Sequence, residues 1–428
     1  MKFFSRAGKR LALGIFIAFW LFYGFLMVRS LIPATVNDKE LQFPRARIPA
    51  GSNAFDVLQA ATSNLWWPEE QVRRIADLAK DTNWDDALAS TVLASNHEAL
   101  AGWDVAAKMP GLQVPEVSTV NDTFPYLVDW KRLAMLAGVR ENVLLHNGQD
   151  REAFDQIVNH IQLGRRMQNS HGVLIVYLVG TAVQAMGLNQ IQRWVGKTHL
   201  TPDQLKNYIL QLKPQPGETG LAFANAIKVE HQMQIDTLDA MRKGKMTNSQ
   251  SGGYYHYPYL WSVFPVFNFS QTKALYANSA LMLVKAASHH FDEAKLPDVD
   301  SHPSLVAMYL SGNGIGQILH YMSLDGINAS LVKKSQSDVQ LQATRTILAL
   351  RAYQLAHGKL PPDLNELVPE FLDAVPVDDF DGQPLRYLAE KKIVYSVGIN
   401  LKDDGGDDQA SPTDSSQRHL DIVYKFNF

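Results

Sequence analysis

One uncharged run near the N-terminus limits what this chain can become more than any other feature. Lys2, Arg6, Lys9 and Arg10 precede it, it extends from Leu11 to Val28, and Arg29 closes it. As a helix it spans roughly 27 Å at about 1.5 Å per residue, close to a hydrocarbon core of about 30 Å. Trp20 and Tyr23 lie inside it. A cleavable signal peptide has a shorter apolar core and a small-x-small cleavage site, and Ser30-Leu-Ile-Pro-Ala-Thr35 offers none. The expectation is an uncleaved transmembrane anchor within residues 1–33. The basic stub stays in the cytoplasm and the bulk is exported. That describes a single-pass protein of a bacterial inner membrane, mostly periplasmic.

Composition then excludes several chemistries. The chain has no cysteine, which removes disulfides, thiol catalysis and cysteine-ligated metal. A net charge of -3 provides no basic field for nucleic acid. With 428 residues there is material for more than one domain.

After a Pro-interrupted linker (34–52), helical spacing dominates residues 53–335. The clearest unit is a hairpin, one helix over about Leu127 to Leu145 and a second over about Asp150 to Gln168. Asn147-Gly148 lies between them. It is loosely tetratricopeptide-like, without a regular repeat, so the expectation is an irregular α-helical array. Thr201-Pro202-Asp203-Gln204 forms a capping box opening a helix that ends before Pro214. Val173 to Ile191 carries no charge, but its polar interruptions fit a buried core helix better than a second span. Residues 254–269 are crowded with aromatics, among them Tyr257, Tyr259, Trp261 and Phe264. Packing on the helices, a partner surface, a sugar platform and a membrane-facing loop all fit that stretch.

Residues 336–428 change character. A helix is expected from about Ser337 to His357, stopped by Gly358 and Pro361-Pro362. A helical turn follows at 363–367, then strands at Leu385 to Leu388, Ile393 to Val397 and Asp421 to Phe426. The fold class is therefore mostly α, with a small α+β C-terminal domain.

Pro376, Asp378, Phe380, Pro384 and Tyr387, then Ser396-Val397-Gly398, an Asp/Gly loop and Asp421-Ile422, resemble the head of type II secretion major pseudopilins. The likeness covers about a fifth of the chain. The pseudopilin leader, with Glu five residues into the apolar helix, does not occur, since the first Glu is Glu40. The composite layout also looks like that of large bacterial envelope proteins.

The resemblance implies calcium. Independently, residues 400–416 hold five Asp against one Lys, and so many carboxylates repel unless screened. Calcium takes six to eight oxygens from a flexible loop. Asp403, Asp404, Asp407, Asp408 and Asp421 are the candidate ligands. The spacing is not that of an EF-hand. His289-His290 with Glu293, His97-Glu98, Glu230-His231 and Gly312-Asn-Gly-Ile-Gly316 match no metal or phosphate motif.

Two functions follow. One is a non-enzymatic scaffold in contact with envelope proteins and, through the resemblance, secretion components. The other is an envelope hydrolase with a cleft in the helical domain. A deep polar pocket with a carboxylate pair favours the hydrolase, and a long shallow groove favours the scaffold. A third reading, an unconventional pilus subunit, is opposed by the missing cleavage motif.

Overall fold

The structure, a computed structural model, describes residues 6–44, 47–49, 51–63, 65–243, 246–247, 254–255, 266–294, 296, 303–408 and 420–428. Tyr257, Tyr259, Trp261 and Phe264 of the aromatic stretch lie outside the described residues.

The first helix, α1 (Arg6–Leu31), contains the apolar run. Its segment Arg10–Leu31 has a mean hydropathy of 2.3 and none of it is buried. Around it in sequence stand α2 (Ala54–Thr62), α3 (Val72–Ala79), α4 (Asp86–Ser95), α5 (His97–Lys108), α6 (Tyr126–His146), α7 (Asp150–Gln168), α8 (Leu174–Trp194) and α9 (Pro202–Leu212). Then come α10 (Glu218–Arg242), α11 (Phe269–Ala286), α12 (Leu305–Leu310) and α13 (Gly314–His357). A two-residue strand pair, β1 (Met246–Thr247) with β2 (Tyr254–Tyr255), interrupts the helices. The C-terminal unit adds β3 (Arg386–Leu388), β4 (Ile393–Ser396) and β5 (Ile422–Lys425) as an antiparallel meander. Tyr387 faces Val394, which faces Tyr424.

Local chemistry explains the boundaries. The Thr201 hydroxyl accepts from the Gln204 amide while the Gln204 side-chain oxygen accepts from the Thr201 amide, closing the capping box of α9. The side chains of Asn53, Asp85 and Asn268 cap α2, α4 and α11 by accepting one first-turn amide each. The α6–α7 hairpin turns at Gly148, whose φ of +71° suits glycine.

The uncharged stretch in the middle of the chain is a core helix, as its polar interruptions imply. Buried residues make up 61% of the apolar window of α8, and it packs along α7. The approach needs glycine. A Cβ on Gly180 would sit 2.6 Å from the Gln168 amide nitrogen, and one on Gly164 would sit 2.5 Å from that of Gln184. Gln168 and Gln184, both buried, then hydrogen-bond to each other across the interface.

Three buried clusters make the core. Leu58, Ile75, Val92, Trp103, Trp130 and Val176 join α2–α8. Tyr177, Phe223, Ile227 and Leu283 join α8, α10 and α11. Phe154, Tyr208, Leu350, Phe380, Val394 and Phe426 join α7, α9 and α13 to the meander.

That last cluster bears on the boundary expected at 335/336. α13 crosses it as one helix of 44 residues, so the helix expected from about Ser337 begins 23 residues earlier, at Gly314. The polar string Lys334-Ser335-Gln336-Ser337 resembles a helix start in sequence. In the fold Lys334, Ser335 and Ser337 are buried.

Candidate functional site

The turn that opens the strands of the C-terminal unit is built around Asp378, which is fully buried. Its carboxylate accepts from the Phe380 amide (3.0 Å), the Ser396 hydroxyl (2.8 Å), the Val397 amide (3.0 Å) and Arg386 Nη1 (2.9 Å). Burial nonetheless raises its pKa, against those donors. At Asp381 burial pushes the same way, but Arg386 and the Gln383 amide outweigh it and hold the carboxyl below its ordinary value. One buried carboxylate thus ties the turn to the end of β4. That accounts for Asp378 and Ser396 as fold-bearing residues.

The acidic loop follows the strand end. Asp421 accepts from the amides of Asp404 (3.1 Å) and Gly406 (2.7 Å). Burial raises its pKa, with those amides opposing and Asp403 and Asp404 adding. Asp403 accepts from the Tyr395 hydroxyl (3.1 Å) and the Gly405 amide (3.0 Å). Asp404 accepts from Asn400 (2.9 Å), and Asp408 pairs with Lys425 (2.9 Å). Asp407 lies in the same turn. The oxygens are the right chemistry for calcium, and one oxygen of each of Asp403, Asp404 and Asp408 accepts a protein donor. Among the described residues no group of three acidic or histidine side chains converges as a metal cage.

A second cluster lies where the helices meet the C-terminal unit. Lys334 and Asp338 stand one turn apart on α13, and Asp379 follows the Asp378 hub. Lys334 Nζ is 3.0 Å from Asp338 Oδ2 and 2.9 Å from Asp379 Oδ1, and all three side chains are largely buried. The backbone holds Asp379 from outside the unit, because its carbonyl accepts from the Phe291 amide (2.8 Å). His290 Nδ1 lies 3.9 Å from Asp379 Oδ1, and the Thr219 hydroxyl hydrogen-bonds Asp338.

Burial raises the Asp338 pKa to about 6; Lys334 pulls it down and Asp379 pushes it up further. At Lys334 burial favours the neutral amine, but the two carboxylates outweigh it and raise the pKa. Two clefts of about 370 and 440 Å³ adjoin across Asp338 and Asp379. Lys213, Arg345 and Asp373 line the first, with Asp373 Oδ2 2.8 Å from Lys213 Nζ. A carboxyl holding its proton near pH 6 beside a second carboxylate is the raw material of general acid chemistry. The same three residues are equally an ionic clamp. Lys334-x-x-x-Asp338 has the spacing of a common exposed helix pair, and Asp379 joins it through tertiary structure alone.

His231 is buried, and burial lowers its pKa, keeping the ring neutral. His97 Nδ1 lies 3.2 Å from the Ala94 carbonyl. Gly312 has a φ of +80°, and a Cβ there would lie 2.6 Å from the Ser30 nitrogen. This glycine therefore serves a close approach to the end of α1.

No protein-family model, curated protein or solved structure matches this chain.

Proposed function

We propose that this protein is a membrane-anchored extracytoplasmic scaffold. In this reading α1 spans a bacterial inner membrane as the only span. The irregular helical array, with its loosely tetratricopeptide-like α6–α7 hairpin, stands on the periplasmic side. The pseudopilin-like C-terminal unit is presented to envelope proteins, secretion components among them. One observation carries the reading: α13 begins two residues after Gly312, against the end of α1, and finishes in the core of the C-terminal unit. Its 44 residues cover about 66 Å along the helix path. A continuous helix from anchor to unit fixes position, which is what a display scaffold requires.

Calcium belongs to the proposal through the resemblance and the loop composition.

Topology and contact test this together. A cysteine at Leu401, 41% exposed in the C-terminal unit, should react with a membrane-impermeant maleimide in intact spheroplasts. A cysteine at Lys9 should react only after lysis. A photoreactive residue at 401 should then cross-link to a few defined envelope proteins. Reaction of both positions only after lysis sinks the reading.

The clefts at Asp338 favour a second reading, an envelope hydrolase acting on sugar or peptide. Here the carboxylate pair occurs, but Lys334 bridges it. Cleavage of peptidoglycan fragments that disappears in Asp338→Asn, with the fold intact, would establish this alternative.

A further inference from the structure

Helix α12 presents an unusual surface. Of Leu305, Val306, Ala307, Met308, Tyr309 and Leu310, only Met308 is buried. Leu305 is 63% exposed, Val306 69%, Tyr309 41% and Leu310 37%. Four large apolar side chains in so short a helix form a patch of the kind that marks a partner or a membrane.

Its location selects between those. Gly312, two residues beyond the helix, packs on the backbone of Arg29 and Ser30 at the end of α1. Across that contact, Leu31 and Ile32 are also exposed, at 72% and 48%. The junction is fastened by side chains. Asn268 Nδ2 donates to the carbonyls of Ser30 (2.7 Å) and Ile32 (2.8 Å), and Gln271 Nε2 donates to Ile32 (2.9 Å). The Ala34 amide donates to the Ser270 hydroxyl (3.1 Å). The end of α1 is therefore held at a fixed place on the body, and α12 is held beside it.

Charge gives an independent argument. Between Asp300 and Asp325 the chain contains no Asp, Glu, Lys or Arg. Nothing in this stretch would need desolvation of a full charge on entering lipid. Tyr309, with an apolar ring and a polar hydroxyl, suits the headgroup boundary.

We infer that α12 is a second membrane contact, an interfacial helix whose Leu305, Val306, Tyr309 and Leu310 enter the outer leaflet beside α1. The inference rests on α1 being a transmembrane anchor. It turns a tether into a seat: the body meets the bilayer at two places and its orientation to the membrane is set.

The absence of native cysteine makes the test direct. Single cysteines at Val306 and Leu310 are spin-labelled in the full chain, reconstituted in phosphatidylcholine nanodiscs. Ile17, within α1, and Leu210, 68% exposed on α9, serve as lipid and water references. All four positions are exposed, and circular dichroism checks that each variant keeps its helix content. The measurement is the ratio of collisions with a water-soluble nickel chelate to collisions with oxygen. The expected ratio at 306 and 310 is severalfold lower than at 210 and near that at 17. Ratios at 306 and 310 equal to that at 210, with 17 still in lipid, overturn the inference and leave the anchor standing. An aqueous signal at 17 overturns both. Shielding of 306 and 310 from both reagents means that protein, such as a second copy, covers the helix, and also overturns it.

Discussion

Replacing Lys334 with methionine keeps most of the side-chain volume and removes the charge that holds Asp338 and Asp379 together. All three groups are largely buried, with Lys334 Nζ 3.0 Å from Asp338 and 2.9 Å from Asp379. Breaking a buried ion pair from one side costs about 3–5 kcal/mol, because the surviving charge is left without compensation. Here two like charges survive. Unfolding entropy is about 2.1 cal/mol/K per residue, or roughly 0.8 kcal/mol/K for the approximately 400 residues outside α1. A loss of about 4 kcal/mol then lowers the melting temperature by about 5 °C near pH 8, if the body melts as one unit. The deficit should depend on pH. A carboxyl whose folded pKa is raised stabilises the fold fully below its unfolded pKa, and that contribution is lost as pH rises through the folded value. For Asp338 the wild-type window runs from the ordinary carboxylate range to about 6. Without Lys334 it moves upward, so the mutant recovers much of its stability near pH 5. The assay is thermal unfolding by tryptophan fluorescence, in detergent, at both pH values. A shift under about 1 °C at pH 8, or a deficit of equal size at pH 5, refutes the clamp. Adding Asp338→Asn and Asp379→Asn to Lys334→Met should restore most of the loss.

Four further outcomes are expected. Glu141→Ala strands His160, whose Nδ1 lies 2.9 Å from Glu141 Oε1 in the core, and should cost about 3 kcal/mol in urea unfolding. Gly180→Leu forces α8 off α7 and should cost at least about 1–3 kcal/mol, whereas Gly326→Ala, with open space around its Cβ, should gain about 0.5–1 kcal/mol; equal effects would contradict the close approach. Calcium at a hundredfold excess over its Kd should stabilise the full chain by about 2.7 kcal/mol relative to chelator, and no calcium-dependent rise in melting temperature would remove the cation from the proposal. Asp421→Ala should abolish that rise and, by unpairing the Asp404 and Gly406 amides, lower stability by about 1–3 kcal/mol even in chelator.

Much of the architecture is legible in the residues. The α6–α7 hairpin, the capping box of α9 and the three strands of the meander fall within about one residue of their expected limits. Each has a local cause, in a cap, a turn or a strict apolar period. The same is true of α8, where polar interruptions distinguish a core helix from a span. The first half of α13 is not legible, because polar Lys334, Ser335 and Ser337 at mid-helix are buried, and Asp379, the partner of Lys334, lies far away in sequence. The acidic loop is found by composition, but its hydrogen bonds to backbone amides are not. Asp379 is hidden for the same reason as Lys334: in sequence it is one of several aspartates, and only packing against 290–292 gives it a role. Short β1 and β2 have no periodicity to announce them.

The length of α13 is a phase setting as well as a distance. Adding or removing one residue between its ends would displace everything beyond by about 1.5 Å and rotate it by about 100°. An insertion in the middle of this helix would therefore turn the meander to face another direction relative to α1, or tear it from the helices against which Phe426 and Phe428 pack. Substitutions along the exposed side of α13 leave that angle unchanged. An indel there acts like a slipped gear tooth, so this protein should be far more sensitive to frame-preserving indels in α13 than to amino-acid changes on its surface.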